Sequence, residues 1–122
     1  MILKLEFLEN EKIILRKFIG EISFPELLDS WKYLVENNLI CNDCIGILND
    51  FTEAKFNMQI ENLGQLLEYF NNNIGIFSRI KLAVIMVRPD DTVFPLLAKI
   101  EYPQFKIEAF CTIEAATKWI LN

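Results

Sequence analysis

The sequence predicts an α/β protein built on a mixed, mostly parallel five-stranded sheet with about four helices. Three observations lead to this prediction. The first two segments have the pattern of strands joined by a polar turn, which is typical of an N-terminal β-hairpin. Short apolar runs then alternate with amphipathic segments, which gives the order β-β-α-β-α-β-α-β-α and favours parallel strands. Residues 82–87 form an apolar run without polar alternation, as expected for a strand covered on both faces.

The composition indicates one domain and argues against several partners. The chain has 122 residues, 52% of them hydrophobic and 24% charged, and we expect residues 1–122 to form a single domain. The net charge is −5 and the Lys and Arg residues are scattered, which argues against nucleic acid. The N-terminus lacks the apolar core of a signal peptide, and no apolar run approaches the ~20 residues that span a bilayer. We therefore expect a cytoplasmic protein without a membrane span.

The N-terminal hairpin is indicated by the spacing of apolar residues. Between residues 3 and 7, apolar side chains alternate with Lys4 and Glu6, which is the two-residue period of a half-buried strand. A polar turn follows over residues 9–12. Residues 13–19 are rich in β-branched side chains and predict the second strand.

The first helix has a distinct start signal. Ser23 can cap it while Glu26 reaches back to the Ser23 amide, and Pro25 suits the first turn because its missing N–H costs nothing there. Apolar residues follow at helical spacing until two Asn residues end the helix. Residues 45–48, a short apolar run between polar residues, predict the next strand.

The remaining helices and the last strand are marked by the same kinds of pattern. Residues 60–70 repeat the apolar stripe of a helix and stop at three Asn residues. Residues 88–92 form a turn that leads into a third helix, which runs to about Ile100. Residues 105–109 alternate apolar and charged side chains, as in an edge strand. Thr112 should cap the last helix.

The chain contains no histidine. This removes Ser-His and Cys-His nucleophile pairs, the commonest general base and the usual imidazole ligands of zinc. An enzyme would have to work with carboxylates, Lys, Tyr or thiols. We therefore predict a non-enzymatic protein with no catalytic residue, no cofactor and no metal.

Cys41 and Cys44 form a Cys-x-x-Cys motif. In redox proteins the first thiolate of this motif lies at a helix N-terminus, where the helix dipole lowers its pKa. Here the pair follows a predicted helix and precedes a strand. A zinc site would need about four ligands, and only Cys111 remains. We interpret the pair as reduced thiols in a connection, with a thiol redox protein as an alternative.

Polar side chains follow two predicted strands that should be neighbours. In open α/β sheets, ligands bind beyond the carboxyl ends of the strands. The candidate ligand- or partner-binding residues are Asp50, Thr52 and Glu53 after one strand, and Arg88, Asp91 and Thr92 after the other. Alternatively, Asp91 or Thr92 caps a helix and Asp50 bonds loop amides. Carboxylates of unknown separation do not predict catalysis.

The chain is rich in phenylalanine, with ten Phe residues. Most should lie in the core. Phe51 and Phe56 flank a predicted polar loop, however, and Phe77 lies in a connection. Some of these three are candidates for lining an apolar pocket or a partner surface.

Two segments carry a family resemblance. One is the closing run of residues 110–120, FCTIEAATKWI, in which a strand ends in Phe and a capped helix carries an Ala and a Trp-aliphatic pair. The other is residues 18–23, FIGEIS, a Gly-x-hydrophobic-Ser entry to the first helix. Together with the element order, they resemble the SpoIIAA-like or STAS superfamily in its bacterial STAS/Sec14-type branch. The resemblance implies a SpoIIAA-like fold over nearly the whole chain.

The resemblance does not extend to the phosphorylation site of the family. STAS domains that antagonise anti-sigma factors carry a phosphorylatable Ser at the start of the helix after the third strand. Residues 58–61, which occupy that place here, contain no hydroxyl, while Thr52 lies too early and Ser78 too late. The resemblance thus implies a non-catalytic module that binds a protein partner or a small ligand and that can form a homodimer.

The leading hypothesis is therefore a cytoplasmic, non-enzymatic binding or regulatory module. The alternative is a carrier of a small apolar or amphipathic ligand in a Phe-lined pocket.

Overall fold

A computed structural model describes residues 1–122. The strands are β1 (Ile2–Leu8), β2 (Ile13–Ser23), β3 (Gly46–Asn57), β4 (Lys81–Ile85) and β5 (Lys106–Phe110). The helices are α1 (Phe24–Glu36), α2 (Asn62–Asn72), α3 (Ile74–Phe77), α4 (Val93–Glu101) and α5 (Ile113–Leu121). A single 3₁₀ turn, Pro89–Thr92, connects β4 to α4.

The five strands form one sheet in the order β1-β2-β3-β4-β5. β1 is antiparallel to β2, and every other neighbouring pair is parallel. The predicted hairpin and the mostly parallel sheet are therefore confirmed, as is the edge position of the last strand. The short helix α3 was not predicted, because four residues are too few to show helical periodicity.

Two of the predicted helix starts are confirmed, and one is wrong. Ser23 and Glu26 form the capping box before α1, and the Thr112 side chain accepts from the amide of Ala115 at the start of α5. Thr92, by contrast, makes no cap bond to α4, because its backbone is helical (φ −68°, ψ −12°) and not extended as in a capping residue. Its hydroxyl donates to the Pro89 carbonyl at 2.6 Å, within the 3₁₀ turn.

The sheet separates two unequal apolar layers. A core of 22 buried residues joins one face of the sheet to α1, α2, α3 and α4. A smaller cluster of six buried residues joins the other face to α5, through Ala116 and Ile120. None of the helices is both long enough and apolar enough to cross a lipid bilayer.

Strand β3 is much longer than the predicted strand over residues 45–48, so the predicted end of this strand was wrong. It runs to Asn57 and remains paired with β2 after β4 has ended at Ile85. The prediction stopped early because polar residues begin at Asn49, and polarity was taken as the end of the strand. Asn49 and Asp50 are tolerated there because they are buried with hydrogen bonds, whereas Glu53, Lys55 and Asn57 lie on the exposed face of the β2–β3 pair.

Strand β3 also contains a β-bulge. Lys17 of β2 pairs with Asp50, but Ile19 pairs with Glu53, so β3 holds one extra residue between these two pairs. An extra residue shifts the alternation of side chains by one position. As a result Phe51 in the bulge and Ala54 after it both pack in the larger core.

Candidate functional site

The predicted residues Asp50, Thr52 and Glu53 lie within β3, around the bulge, and not in a loop beyond the strand. The Asp50 side chain is 4% exposed, and its Oδ1 accepts hydrogen bonds from the Thr52 amide at 3.0 Å and the Thr52 hydroxyl at 2.7 Å. Glu53 is exposed and pairs with Lys17 on β2. Oδ1 of Asp50 is therefore engaged locally at the bulge, in line with the alternative that this carboxylate bonds nearby amides.

Arg88, Asp91 and Thr92 lie on the other side of the end of β4, around the 3₁₀ turn. Arg88 is exposed, whereas Asp91 and Thr92 are half-buried. Burial raises the pKa of the Asp91 carboxyl, while the charge of Arg88 acts in the opposite direction. No hydrogen bond or ion pair joins this group to Asp50, Thr52 or Glu53, so the two groups do not form one polar cluster. Their role as binding residues stays a prediction.

A cavity of about 80 Å³ lies between the sheet and helices α1, α2 and α4. Fifteen of its 17 lining residues are hydrophobic. Phe56, Met58 and Phe94 belong to the lining and are only half-buried, so the opening lies where the end of β3 meets the start of α4. An opening near the carboxyl end of the strands is where open α/β sheets usually bind ligands. The cavity therefore has the position and the chemistry of a small apolar binding site.

The bulge in β3 places two aromatic rings, Phe51 and Phe56, on the same side of the cavity. Phe51 and Phe56 are an odd number of residues apart, so a regular strand would place them on opposite faces. The extra residue brings both to the cavity face, where their ring centroids are 4.8 Å apart. Phe56 also lies 5.7 Å from Phe94 across the opening. Phe77, in contrast, is fully buried in the core and does not line the cavity.

Arg16 on β2 is buried beside this cavity and is 0% exposed. Its Nε donates to Asn49 Oδ1 at 2.9 Å, and its Nη1 donates to the Ser30 hydroxyl at 3.0 Å. Its guanidinium carbon lies 3.7 Å from the centroid of the Trp31 ring. The third nitrogen, Nη2, has no hydrogen-bond partner. One side of a buried cation is therefore left without an acceptor.

No carboxylate forms an ion pair with Arg16. Burial lowers the pKa of its guanidinium from 12.5 to about 9, which still leaves it a cation at neutral pH. Arg16 was not among the predicted binding residues. The available signal was its place between Ile14 and Phe18, since side chains two residues apart on a strand share a face and those two are apolar.

The Cys41/Cys44 pair lies in the connection between α1 and β3, as predicted. Cys41 is exposed and Cys44 is buried, and both are free thiols. Burial raises the pKa of the Cys44 thiol, which makes it less reactive. Nη1 of Arg79 donates to the backbone carbonyls of Cys41 and Asn42 at 3.2 and 2.7 Å, so this cation holds the turn and not a thiolate. Nowhere do three His, Cys, Asp or Glu side chains cluster as ligands for a metal ion.

The solved structures that are similar to this chain include two whose matches cover nearly all of it. One is a protein of the DUF3478 family from Shewanella loihica PV-4 with a SpoIIAA-like fold, which matches with a TM-score of 0.64 at 15% identity. The match covers 98% of this chain and 92% of that one. The other is the anti-sigma factor antagonist SpoIIAA in its unphosphorylated form, with a TM-score of 0.55 at 12% identity, covering 98% of this chain and 97% of SpoIIAA. No protein-family model matches the chain, and no curated protein matches it significantly.

Proposed function

Because the chain has the SpoIIAA-like fold, we propose that it is a non-enzymatic binding and regulatory module that acts in the cytoplasm by contacting another protein. SpoIIAA, one of the similar solved structures, is an anti-sigma factor antagonist, a name that describes action on another factor. The absence of histidine and the engagement of Asp50 Oδ1 by Thr52 of the same strand support a role without turnover.

The observation that carries this proposal is an apolar surface on α4, formed by Val93, Leu96 and Ile100, which we call the α4 outer face. These residues recur at helical spacing, and Leu96 and Ile100 are 56% and 65% exposed. Val87, at the end of β4, is 59% exposed as well. A row of large apolar side chains left in water is typical of a surface that another protein covers.

Site-specific photo-crosslinking in the producing cells tests this role. A photo-crosslinking amino acid at Leu96 or Ile100 should yield one discrete crosslinked protein band, and a Val93→Asp substitution in the same chain should abolish it. The control is the same amino acid at Tyr33, which is 52% exposed on α1 and lies outside the α4 outer face. The absence of a band at both α4 positions, or the same band from Tyr33, would contradict the proposal.

The proposed module works without a phosphorylated hydroxyl at the start of α2. Residues 58–61, between the end of β3 and the start of α2, contain neither Ser nor Thr. Mass spectrometry of the protein isolated from cells should therefore find no phosphopeptide over residues 58–61. A phosphorylated hydroxyl elsewhere in the chain, such as Thr52 or Ser78, would require a different regulatory site.

A second candidate function, the carriage of a small apolar or amphipathic ligand, is favoured by the cavity behind α4. Phe94, Pro95 and Ala98 line the cavity from the inner side of the helix whose other side forms the α4 outer face. A volume of about 80 Å³ suits a short apolar tail and is too small to enclose a whole lipid. Occupancy of the cavity would also press on the helix that meets the partner.

Binding of 1-octanol, followed by NMR, tests the carrier role. Resonances of Phe56, Phe94 and Ala98 should shift in a saturable way in the wild-type protein. Ala98→Leu should abolish the shifts, because the buried Ala98 lines the cavity and a larger side chain fills it. Ala115→Leu, the same change at an exposed position of α5, should leave them intact. If the Ala98→Leu variant bound 1-octanol as tightly as the wild-type protein, the octanol site would lie outside this cavity.

A further inference from the structure

We infer that Arg16 receives the anionic head of a small amphipathic carboxylate whose apolar tail occupies the cavity. This inference rests on the carrier role proposed above and names the chemical class of its ligand. It also assigns a ligand-binding role to a residue that lies outside the predicted polar groups.

Arg16 is an unusual residue for the interior of this fold. A buried charge is normally paired or fully hydrogen-bonded, because taking an ion out of water is costly. Arg16 has two neutral acceptors, Asn49 Oδ1 and the Ser30 hydroxyl, and no carboxylate. Its Nη2 has no acceptor at all. An anion is the partner that would satisfy both the free nitrogen and the uncompensated charge.

Two residues that line the cavity also contact the Arg16 guanidinium. Trp31, whose ring stacks against Arg16, and Asn49, which accepts from its Nε, both line the cavity. Apart from the indole of Trp31, Asn49 is the only lining residue with a hydrogen-bonding side chain. The cation thus lies behind two residues of the cavity wall, Trp31 and Asn49, and does not line the cavity itself. A head group in the cavity would reach Nη2 once the Asn49 amide or the Trp31 ring moves aside.

The chemistry of the site selects the class of ligand. One free guanidinium nitrogen matches a carboxylate oxygen, and a single negative charge neutralises the single positive charge of Arg16. The hydrophobic lining favours an unbranched or aromatic hydrocarbon tail. A dianion such as a phosphate monoester would bring a second charge into a wall with no other cation. A short-chain or medium-chain monocarboxylate is therefore the best fit.

The test compares three probes that share one tail and differ in charge: octanoate, 1-octanol and octylammonium. NMR titrations at neutral pH give a dissociation constant for each probe. Octanoate should bind the wild-type protein roughly 10- to 100-fold more tightly than 1-octanol, which is the range expected for a hydrogen bond to a buried charge. Octylammonium should bind most weakly, because it would place a second cation beside Arg16.

Arg16→Met is the matched variant, since it keeps an unbranched side chain and removes the charge. This variant should bind octanoate only as tightly as 1-octanol, and its affinity for 1-octanol should equal that of the wild-type protein. Equal affinity of the wild-type protein for octanoate and 1-octanol would overturn the inference while leaving the carrier role intact, and this comparison needs no variant. If neither probe binds the wild-type protein, the carrier role fails, and the inference fails with it.

Discussion

The guanidinium carbon of Arg16 lies 3.7 Å from the centroid of the Trp31 ring, inside the larger core. A desolvated cation–π contact of this kind contributes about 2 kcal/mol or more. The desolvation of the cation costs several kcal/mol, which is of the same order as the contributions of the stack and of the two hydrogen bonds. We therefore expect Arg16 to add little net stability to the unliganded fold compared with a well-packed apolar side chain.

The first prediction concerns that cost. Arg16→Met combined with Asn49→Leu removes the buried charge together with its main acceptor. The double variant also loses the bond from Asn49 Nδ2 to the Ala83 carbonyl, which contributes about 1 kcal/mol. We expect a free energy of unfolding within about 1 kcal/mol of the wild-type value or above it, measured by urea denaturation.

Arg16→Ala is the control for this prediction. Its free energy of unfolding should be about 3 kcal/mol lower than that of the wild-type protein, because the substitution leaves both a cavity and an unpaired Asn49 oxygen. An equally large loss in the double variant would mean that Arg16 serves mainly to hold the fold together.

Gly46, the first residue of β3, is predicted to be intolerant of any side chain. A Cβ there would lie 2.5 Å from Ile120 Cγ2 on α5 and 3.0 Å from the Lys81 carbonyl on β4. Because the carbonyl belongs to a neighbouring strand, it cannot move aside as a side chain can. Gly46→Ala should lower the free energy of unfolding by about 1–3 kcal/mol in urea denaturation.

Gly64→Ala supplies the matched control. Gly64 is on α2, and its nearest heavy atom to a new Cβ would be Tyr102 Oη at 3.9 Å. Here alanine should stabilise the protein by about 0.5–1 kcal/mol, because it is the better helix former. If both variants were equally destabilised, the close approach of α5 to Gly46 would not be the cause.

The capping box before α1 predicts a specific dependence on pH. The pKa of the Glu26 carboxyl is lowered from its ordinary 4.5, chiefly because the Ser23 backbone amide donates to it and secondarily because the Ser23 hydroxyl does. A depressed folded-state pKa means that this stabilisation is present above pH 4.5 and is lost as the pH falls through the lower folded value. In urea denaturation over that acid range, the stability difference between wild type and Glu26→Gln should therefore shrink.

Ser23→Ala separates the two causes. It removes the hydroxyl and should cost about 1 kcal/mol at neutral pH, as expected for a lost N-cap. It keeps the backbone amide, however, and so should retain most of the pH dependence. Parallel pH curves for Glu26→Gln and the wild-type protein would rule out the carboxylate as the source.

Thiol reactivity should divide the three cysteines into two classes. Cys41 and Cys111 are exposed, whereas Cys44 is buried and its thiol pKa is raised. With a disulfide reagent at neutral pH, two thiols should react quickly and the third slowly. All three should react at once in denaturant. A fast third thiol in the native protein, identified as Cys44 by peptide mapping, would reopen the case for a redox role.

Local patterns predicted most of the fold correctly. The alternation around Lys4 and Glu6, the capping residues Ser23 and Thr112, and the unbroken apolar run over residues 82–87 each depend on neighbours within a few positions. Such signals specify the type and order of the elements, from which the mixed sheet follows. The end of β3 was predicted wrongly because polarity at Asn49 was read as a loop, whereas pairing with β2 continues to Asn57.

The sequence alone thus determined the element order, the parallel character of the sheet and most helix starts, because hydrophobic period and capping are local properties. Only the tertiary structure decided the register between β2 and β3. That register places the bulge, turns Phe51 and Phe56 to the same face, and so forms the cavity. It also decided that Arg16 is buried beside Trp31 and Asn49. Burial depends on which elements cover a strand, and those contacts come from residues far away in the chain.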